Sequence, residues 1–317
     1  MRMFRSNAHG AALIALMLLL GACGSGVGDD GDDAPAGGGN AAPAEEMTLG
    51  GPPECPERPF CIPGLEETYG IEFQDFQPLD VGGPLTVKAL ESGRIDVGLL
   101  FSTSSVIGDK GWVVLEDDKN LQQAENITPV VNSEASDGTI TDLLNEVSST
   151  LTTENITELN GRVEIDKEEP ADVAAAFLEE QGVTGEGADG SGEVTVGAVA
   201  FAENQIVAEM YAQVLEQAGY TVDRKLDLGS REVLQPALES GEVDIAPEYL
   251  GSLLLFLDPK AEVSGSVDEE VQALQPLLEE RGLELLEPSQ ANDTNAFVVT
   301  QETAEKYGLE QMSDLAG

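Results

Sequence analysis

The chain has 317 residues, of which 60 are acidic and only 15 are Lys or Arg, giving a formal net charge of −45. This charge argues against nucleic-acid binding, because phosphate recognition requires a clustered cationic surface. Hydrophobic residues make up 41% of the chain, enough for a folded core and too many for a disordered acidic protein. The one histidine, His9, lies in a segment that we predict is removed. Ser-His, Cys-His and His-metal chemistry are therefore excluded for the mature protein, and we expect no cofactor or metal.

Residues 1–22 have the features of a secretory signal peptide. Arg2 and Arg5 precede an apolar run of residues 11–20, which is too short to span a bilayer as a mature helix. The tetrapeptide Leu-Gly-Ala-Cys ending at Cys23 resembles the lipobox of bacterial lipoproteins. It implies a lipid on Cys23 and a position on the outer face of the cytoplasmic membrane or in the periplasm. An ordinary signal peptide with an incidental cysteine is the alternative.

The segment after the signal peptide predicts a tether followed by a small closed loop. Residues 23–46 are rich in Gly, Ala, Pro and Asp, a composition typical of a flexible, self-repelling acidic tether. Cys55 and Cys61 then form an isolated close pair, which in an exported protein favours a disulfide closing a Pro-rich loop. A metal site is the alternative, but it would need further ligands nearby and the sequence supplies none.

Strands and helices alternate in the second half of the chain. Residues 195–201 predict a buried strand, and residues 203–218 have apolar residues at helical spacing. A strand at 221–228, a helix from 230 to 241 and a strand at 243–246 follow. This order predicts a parallel sheet with covering helices, which is the α/β class.

Two segments of the chain resemble each other. Leu-Asp-Val-Gly at 79–82 and Ala-Leu-Glu-Ser-Gly-Arg-Ile-Asp at 89–96 match Leu-Asp-Leu-Gly at 226–229 and Ala-Leu-Glu-Ser-Gly-Glu-Val-Asp at 237–244. The separation is too long for a solenoid repeat. Two similar α/β lobes that face each other explain the match. The alternative is that two unrelated segments converged on a common helix-to-strand sequence motif.

Several motifs together resemble a known family. The chain is similar to the substrate-binding proteins of quaternary-amine ABC importers, which take up glycine betaine, choline, carnitine and similar solutes. The motifs that resemble the family's opening half are Val194-Thr-Val-Gly, Phe201-Ala-Glu-Asn-Gln, Leu228-Gly-Ser-Arg, Pro247-Glu-Tyr-Leu-Gly and Asn295-Ala-Phe-Val-Val-Thr. The motifs that resemble its closing half are Gly50-Gly-Pro-Pro-Glu-Cys, Phe101-Ser-Thr, Val114-Leu-Glu-Asp-Asp-Lys and Pro129-Val-Val.

The two halves stand in reversed order relative to the family. Each half occurs once, which predicts a circular permutation whose old ends are joined by a flexible Gly-rich linker at 183–193. A cut within a larger tandem gene is the alternative. The resemblance implies a two-lobed, periplasmic-binding-protein-like (type II) α/β fold. We expect residues 47–102 and 253–317 in lobe 2 and residues 103–252 in lobe 1, with crossings near 101–107 and 249–253.

The resemblance also implies a ligand site between the lobes. A quaternary ammonium has no N–H group, so aromatic faces hold its diffuse charge, while a betaine carboxylate requires Arg or backbone N–H donors. Tyr249 stands at the family's cage tyrosine, and Phe101 at an aromatic position of the cleft. Arg58 matches the arginine expected to meet the carboxylate.

Further cleft residues follow from the loop after the first strand and from two departures. Phe201, Glu203 and Asn204 match that loop. Asn295 and Glu125 stand where several betaine-binding proteins have tyrosines, so we expect an incomplete aromatic cage. Glu125 could pair with a ligand ammonium, favouring choline or a primary amine, or could be a solvated loop residue.

These observations favour a lipid-anchored receptor that delivers a small cationic or zwitterionic solute to a separate permease and ATPase. A receptor that senses solute without transporting it is a second hypothesis. An extracellular hydrolase that uses Glu116 with Asp117 or Asp118 is a third, because acid–base hydrolysis requires two carboxylates in different environments.

The acid excess generates a prediction about salt. Repulsion among the net negative charges destabilises the folded state unless ions screen it. We therefore expect the melting temperature to rise by several degrees between low salt and molar NaCl, as measured by circular dichroism. We interpret the acid excess as suited to an extracellular face bathed in high salt, and an unchanged melting temperature across that range would contradict this interpretation.

Overall fold

Two five-stranded sheets organise the part of the chain that the structure describes, residues 43–80 and 82–317 of a computed structural model. Helices cover both sheets, so the predicted α/β class is confirmed. The strands are β1 Thr48–Gly51, β2 Asp75–Pro78, β3 Val97–Phe101, β4 Val113–Val114, β5 Ile127–Asn132, β6 Glu193–Val199, β7 Thr221–Leu228, β8 Ile245–Tyr249, β9 Leu283–Leu285 and β10 Asn295–Val299. The helices are α1 Ile62–Gly64, α2 Pro84–Glu91, α3 Ser105–Lys110, α4 Gly138–Thr150, α5 Thr153–Glu164, α6 Pro170–Gln181, α7 Ala202–Ala218, α8 Arg231–Glu239, α9 Leu250–Leu257, α10 Val267–Glu279 and α11 Gln301–Tyr307.

The two sheets have the same plan. The strand order is β2-β1-β3-β10-β4 in lobe 2 and β7-β6-β8-β5-β9 in lobe 1. In each sheet the second strand of this order, β1 or β6, is flanked by two parallel partners, and the fourth, β10 or β5, pairs antiparallel with the third. Each lobe also has its own buried apolar clusters. The internal similarity in the sequence therefore corresponds to a repeated structural unit.

An identical pair of hydrogen bonds fixes the central strands of both lobes. The Asp96 carboxylate accepts from the Thr48 backbone N–H at 2.9 Å, and the Asp96 N–H donates to the Thr48 carbonyl at 3.0 Å. In lobe 1, Asp244 and Thr195 make the same two bonds, at 2.7 and 2.8 Å. The aspartate at the end of each similar segment thus joins a β strand to its parallel neighbour.

Both observed crossings between the lobes lie at other positions than the predicted ones near 101–107 and 249–253. The segment after β3 forms α3 and returns to the same sheet, because β4 pairs with β10. The segment after β8 stays in lobe 1, because β9 pairs with β5. The chain therefore passes between the sheets at 115–126 and 286–294. The sequence pattern predicted neither the short strand β4 nor the late strand β9, which are the strands that fix these boundaries.

The two crossing segments run side by side. Asn126 and Asn292 form an antiparallel bridge, and the Glu125 N–H donates to the Asn292 side-chain oxygen at 2.7 Å. The Asp293 N–H donates to the Glu125 carbonyl at 3.1 Å. This pairing forms a two-stranded connection between the lobes, which is the arrangement expected of a hinge.

The predicted tether and linker differ from expectation where the structure describes them. Pro43–Glu46 forms a 3-10 turn, and Ala44 is buried against the lobe 2 core, so the last four tether residues belong to the fold. In the predicted linker, a Cβ on Gly185 would lie 1.9 Å from the Val214 carbonyl oxygen, and one on Gly190 would lie 2.3 Å from the Tyr220 ring. These two linker glycines therefore permit close packing onto lobe 1.

The signal peptide at 1–22, Cys23 and tether residues up to 42 lie outside the described residues, as does Val81. Within residues 43–80 and 82–317, no helix combines the length and the apolar character needed to cross a bilayer.

Glu270, on the first turns of α10, is an acidic residue in the core beside the first crossing segment. It is only 1% exposed, and its carboxylate accepts from the Ser264 N–H at 2.6 Å. The Ser264 carbonyl in turn accepts from the Ala124 N–H of the crossing segment at 2.8 Å. Burial, together with the charges of Glu125 and Glu269, raises the pKa of Glu270 to about 7.

This raised pKa predicts a pH-dependent gain in stability for Glu270→Gln. The unfolded carboxyl titrates near 4.5, so the folded state loses stability as the pH rises from 4.5 to about 7 and does not regain it above. At pH 8 the variant should gain roughly 1–3 kcal/mol in free energy of unfolding, and the gain should shrink toward pH 5. Urea unfolding measures it, with the exposed Glu280→Gln as the control. An equal effect of Glu270→Gln at both pH values would contradict the assignment.

Candidate functional site

A cavity of about 390 Å³ lies between the two lobes. It is bounded by the carboxyl ends of β3, β6 and β8, which is where ligands bind in open α/β sheets. Both lobes and both crossing segments contribute to its wall. The lining residues are Arg58, Phe101, Gln123, Glu125, Val199, Ala200, Phe201, Asn204, Gly229, Ser230, Arg231, Leu234, Pro247, Glu248, Tyr249, Ser252, Asp293, Thr294 and Asn295.

Aromatic rings from both lobes face this cavity. Phe201 and Tyr249 in lobe 1 are stacked, with ring centroids 6.0 Å apart and planes inclined by 28°. Tyr249 is only 7% exposed, whereas Phe201 is 44% exposed, so the phenylalanine leaves a large apolar surface open to solvent. Phe101 contributes a half-buried ring from lobe 2, at the end of β3 and opposite Asn295 in the β3–β10 ladder.

Glu203 lies behind the aromatic wall and holds Tyr249 in place. The Tyr249 hydroxyl donates to Glu203 Oε1 at 2.8 Å, and the Asn160 amide donates to Oε2 at 3.0 Å. The Asn160 amide also donates to the Thr103 carbonyl of lobe 2 at 3.2 Å, so this network links the lobes. Burial raises the pKa of Glu203, and burial with the nearby Glu203 charge raises the pKa of Tyr249 well above 10.

Arg231 and Glu248 form a charge pair in the cavity wall. Arg231 Nη2 lies 2.7 Å from Glu248 Oε2, and Arg231 Nε lies 3.0 Å from the same oxygen. The Glu248 side chain is 4% exposed and that of Arg231 is 23% exposed. Because the guanidinium is engaged with a buried carboxylate, it neutralises Glu248 within the wall.

Glu125 caps the helix that follows β8. Its carboxylate accepts from the backbone N–H of Ser252 at 3.0 Å, and also from the Ser252 hydroxyl and the Gln123 amide. The residue is 6% exposed, so it is not a solvated loop residue. Burial raises the pKa of Glu125 despite these bonds.

Asp293 lies on the second crossing segment and lines the cavity. Its Oδ1 accepts from the Thr103 hydroxyl at 2.7 Å, and the Thr103 backbone N–H lies near the same carboxyl, whereas no described residue donates to Oδ2 with good hydrogen-bond geometry. Burial and the charges of Glu203 and Glu125 raise its pKa well above the usual range.

Arg58 reaches the cavity from a loop that a disulfide closes. Cys55 and Cys61 are joined, with their Cα atoms 5.3 Å apart, and both are fully buried. The Gln122 amide donates to the Phe60 carbonyl at 3.1 Å, which ties this loop to the first crossing segment. Among the described residues, no carboxylate forms an ion pair with Arg58, so its guanidinium is available to a ligand.

The structure brings together the residues singled out in the sequence. Of the eight predicted ligand-binding residues, seven line the cavity, and Glu203 supports the wall from behind. Sequence reasoning missed Arg231, Asp293 and Ser252. Arg231 belonged to the matched Leu-Gly-Ser-Arg motif and Asp293 comes two residues before Asn295, so proximity to matched motifs was the available signal.

The acidic residues proposed for hydrolysis, Glu116 to Asp118, include two carboxylates that accept structural hydrogen bonds. Asp117 accepts from the Leu121 and Gln122 backbone N–H groups at 2.9 and 2.7 Å, and the Asp118 carboxylate accepts from Ser313. None of Glu116, Asp117 and Asp118 lines the cavity described above, and Glu116 and Asp117 line a separate cavity of about 400 Å³. The described residues also contain no cluster of acidic, Cys or His side chains suited to a metal ion.

Two similar lobes, a hinge and a lined cavity between them define a solute-binding protein. Residues 40–180 and 192–317 match the model of the OpuAC family, described as the substrate binding domain of ABC-type glycine betaine transport system. The chain belongs to this family, and the predicted resemblance is confirmed.

Curated relatives match part of the chain. A glycine-betaine-binding protein of Pseudomonas aeruginosa is 36% identical over 124 residues, 38% of each chain. The glycine betaine-binding protein YehZ of Escherichia coli is 33% identical over 125 residues, 39% of this chain and 41% of its own. The carnitine transport binding protein OpuCC of Listeria monocytogenes is 32% identical over 146 residues, 45% of this chain and 47% of its own. The matches span less than half of these relatives.

The wall pair generates a stability prediction. Arg231→Met should lower the free energy of unfolding by about 3 kcal/mol, because it leaves the Glu248 carboxylate buried and unpaired. Arg162→Met, which breaks the more exposed pair with Glu168, should cost less than about 1 kcal/mol. Urea unfolding compares the two, and adding Glu248→Gln to Arg231→Met should recover part of the loss. Equal losses in the free energy of unfolding for the two arginine variants would contradict the prediction that burial makes the wall pair more important for stability.

Proposed function

We propose that this protein is the extracytoplasmic receptor of an ABC importer, which captures a quaternary ammonium solute such as glycine betaine, choline or carnitine and delivers it to a membrane permease. The observation that carries the proposal is the combination, in one cavity, of the stacked Phe201–Tyr249 pair, Phe101 from the facing lobe, and Arg58, which has no carboxylate partner among the described residues.

The chemistry of the solute fits this arrangement. A trimethylammonium group offers no hydrogen to an acceptor but carries positive charge spread over its methyl groups. Ring faces attract that charge and make apolar contact with the methyls, at about 0.5–2 kcal/mol for each ring. The Arg58 guanidinium would hold the carboxylate of a betaine or carnitine. The volume of about 390 Å³ suits a small solute.

A ligand in this position would stabilise the closed arrangement of the lobes. Phe101 and Arg58 belong to lobe 2, whereas Phe201 and Tyr249 belong to lobe 1, so a solute touching all four would link the two sheets. Such differential contact is what allows a ligand to shift a hinge equilibrium. The closed form would then be the one that the permease and its ATPase recognise.

Membrane attachment and the order of the halves belong to the same proposal. A lipid on Cys23, outside the described residues, would hold the receptor near its permease. The circular permutation is supported by the two family matches, which leave a gap at residues 181–191 that overlaps the predicted linker at 183–193. It is also supported by the shared core of Pro43–Glu46 and Met312–Leu315 at the two ends of the described fold.

Substituting the exposed ring tests the site. Phe201→Leu should weaken the binding of glycine betaine and choline by about 3- to 30-fold, because it removes one ring face from the cation. Phe256→Leu is the matched control, since Phe256 is similarly exposed at 37% but does not line the cavity. Isothermal titration against glycine betaine, choline, carnitine, ectoine and amino acids measures both.

Three results would contradict the proposal. The first is that none of the quaternary amines binds to the unmodified protein. The second is that Phe201→Leu and Phe256→Leu weaken binding equally. The third is unaltered uptake of radiolabelled ligand by cells that lack the gene, which would favour a sensor over an importer.

A further inference from the structure

Asp293 is the one acidic side chain of the cavity wall with an oxygen that the described residues leave without a donor. Glu125, at the wall, is bound by Ser252 on one oxygen and by Ser252 and Gln123 on the other. Both oxygens of Glu248 accept from Arg231. Oδ2 of Asp293 is therefore the acidic oxygen in this wall that is free to meet a ligand.

The surroundings of Asp293 contain more negative than positive charge. Glu203 on α7 and Glu125 on the paired crossing segment act on it electrostatically, and Tyr249 on β8 is close enough for Asp293 to raise its pKa. Two arginines line the cavity: Arg231 is engaged with Glu248, and Arg58 makes no ion pair with a described carboxylate, that of Asp293 included. Among the described residues, no Lys or Arg forms an ion pair with Asp293.

An ionised Asp293 is therefore unfavourable in the empty cavity. Its partial burial and the neighbouring carboxylates favour the protonated acid, as reflected in its raised pKa. A cation that enters the cavity reverses this balance, because it supplies the missing positive charge beside Oδ2. The carboxyl would then lose its proton to solvent.

We propose that Asp293 is the counter-ion of the ligand's cationic group, and that it exchanges its proton for that cation when the ligand binds. This inference rests on the proposed function, since it concerns the same cavity and the same class of solute. The aromatic faces of Phe201 and Tyr249 contact the methyl groups, and Asp293 supplies the opposite charge. The exchange neutralises the new charge at the moment of binding, so the cavity holds a cation without the cost of a permanently ionised buried acid.

Two consequences follow from this exchange. Ligand affinity should rise with pH, by up to tenfold per pH unit below the pKa of Asp293 in the empty protein, because ligand and proton compete for one carboxylate. Choline, which has a positive charge and no carboxylate, should show the dependence as strongly as glycine betaine. Neither solute titrates between pH 5 and 9, so the proton must come from the protein.

The experiment is isothermal titration of the full chain with choline and glycine betaine in two buffers of different ionisation enthalpy, repeated across pH 5–9. We expect the release of up to one proton per ligand bound. Asp293→Asn should abolish the release, make the affinity independent of pH, and bind choline at least about tenfold more weakly than the unmodified protein at high pH. Glu280→Gln, at an exposed position directly after α10, should leave the release unchanged.

A second variant keeps the test valid if Asp293→Asn does not fold. Thr103→Val retains the aspartate and removes the hydroxyl that donates to Oδ1, so it should shift the midpoint of the pH dependence upward. Ligand binding without proton release, or release that persists in Asp293→Asn, would overturn the inference and leave the proposed function intact. Absence of binding for every quaternary amine would instead overturn the proposed function.

Discussion

The hydrogen-bond pair between an aspartate and a threonine backbone is the interaction on which both lobes depend. It joins β1 to β3 through Thr48 and Asp96, and β6 to β8 through Thr195 and Asp244. These bonds fix the register between the paired strands. The strand that follows each aspartate then ends five residues later, at the cavity. The last residues of these two strands are an aromatic pair, Phe101 in lobe 2 and Tyr249 in lobe 1. One local bond pattern, used twice, thus places a ring on each side of the cavity.

The charges around that cavity explain why it can accept a cation. Its acidic residues are mostly engaged by donors in the wall, which keeps them ordered and limits their cost in a low-dielectric site. A donor behind the wall connects the lobes, because the Asn160 amide on lobe 1 donates to both Glu203 and the Thr103 carbonyl of lobe 2. Residues that set the charge near the cavity therefore also contact the facing lobe. A change in charge at the cavity thus acts directly on the contact between the lobes.

Much of the fold and of the site could be predicted, because the informative residues lie in contiguous motifs. Strand and helix periodicity located β6, α7, β7 and α8 close to their observed bounds. The family resemblance singled out Tyr249 and Arg58, and both line the cavity. The lobe boundaries were missed, because β4 has only two residues and β9 only three, too few to show a period. Asp293 was missed because its environment comes from Glu203, Thr103 and Glu125, which are distant in sequence.

The sequence by itself determined the α/β class, the similarity of the two lobes, the acidic surface and the types of side chain available to a ligand. These properties depend on composition and on local patterns of polarity, which are already present in the linear chain. The tertiary structure decided where the chain crosses between lobes and which carboxylates are satisfied. It also decided that two glycines of the predicted flexible linker, Gly185 and Gly190, instead allow close packing. Those outcomes depend on which distant groups meet in space, because both burial and charge are set by neighbours that a linear pattern does not identify.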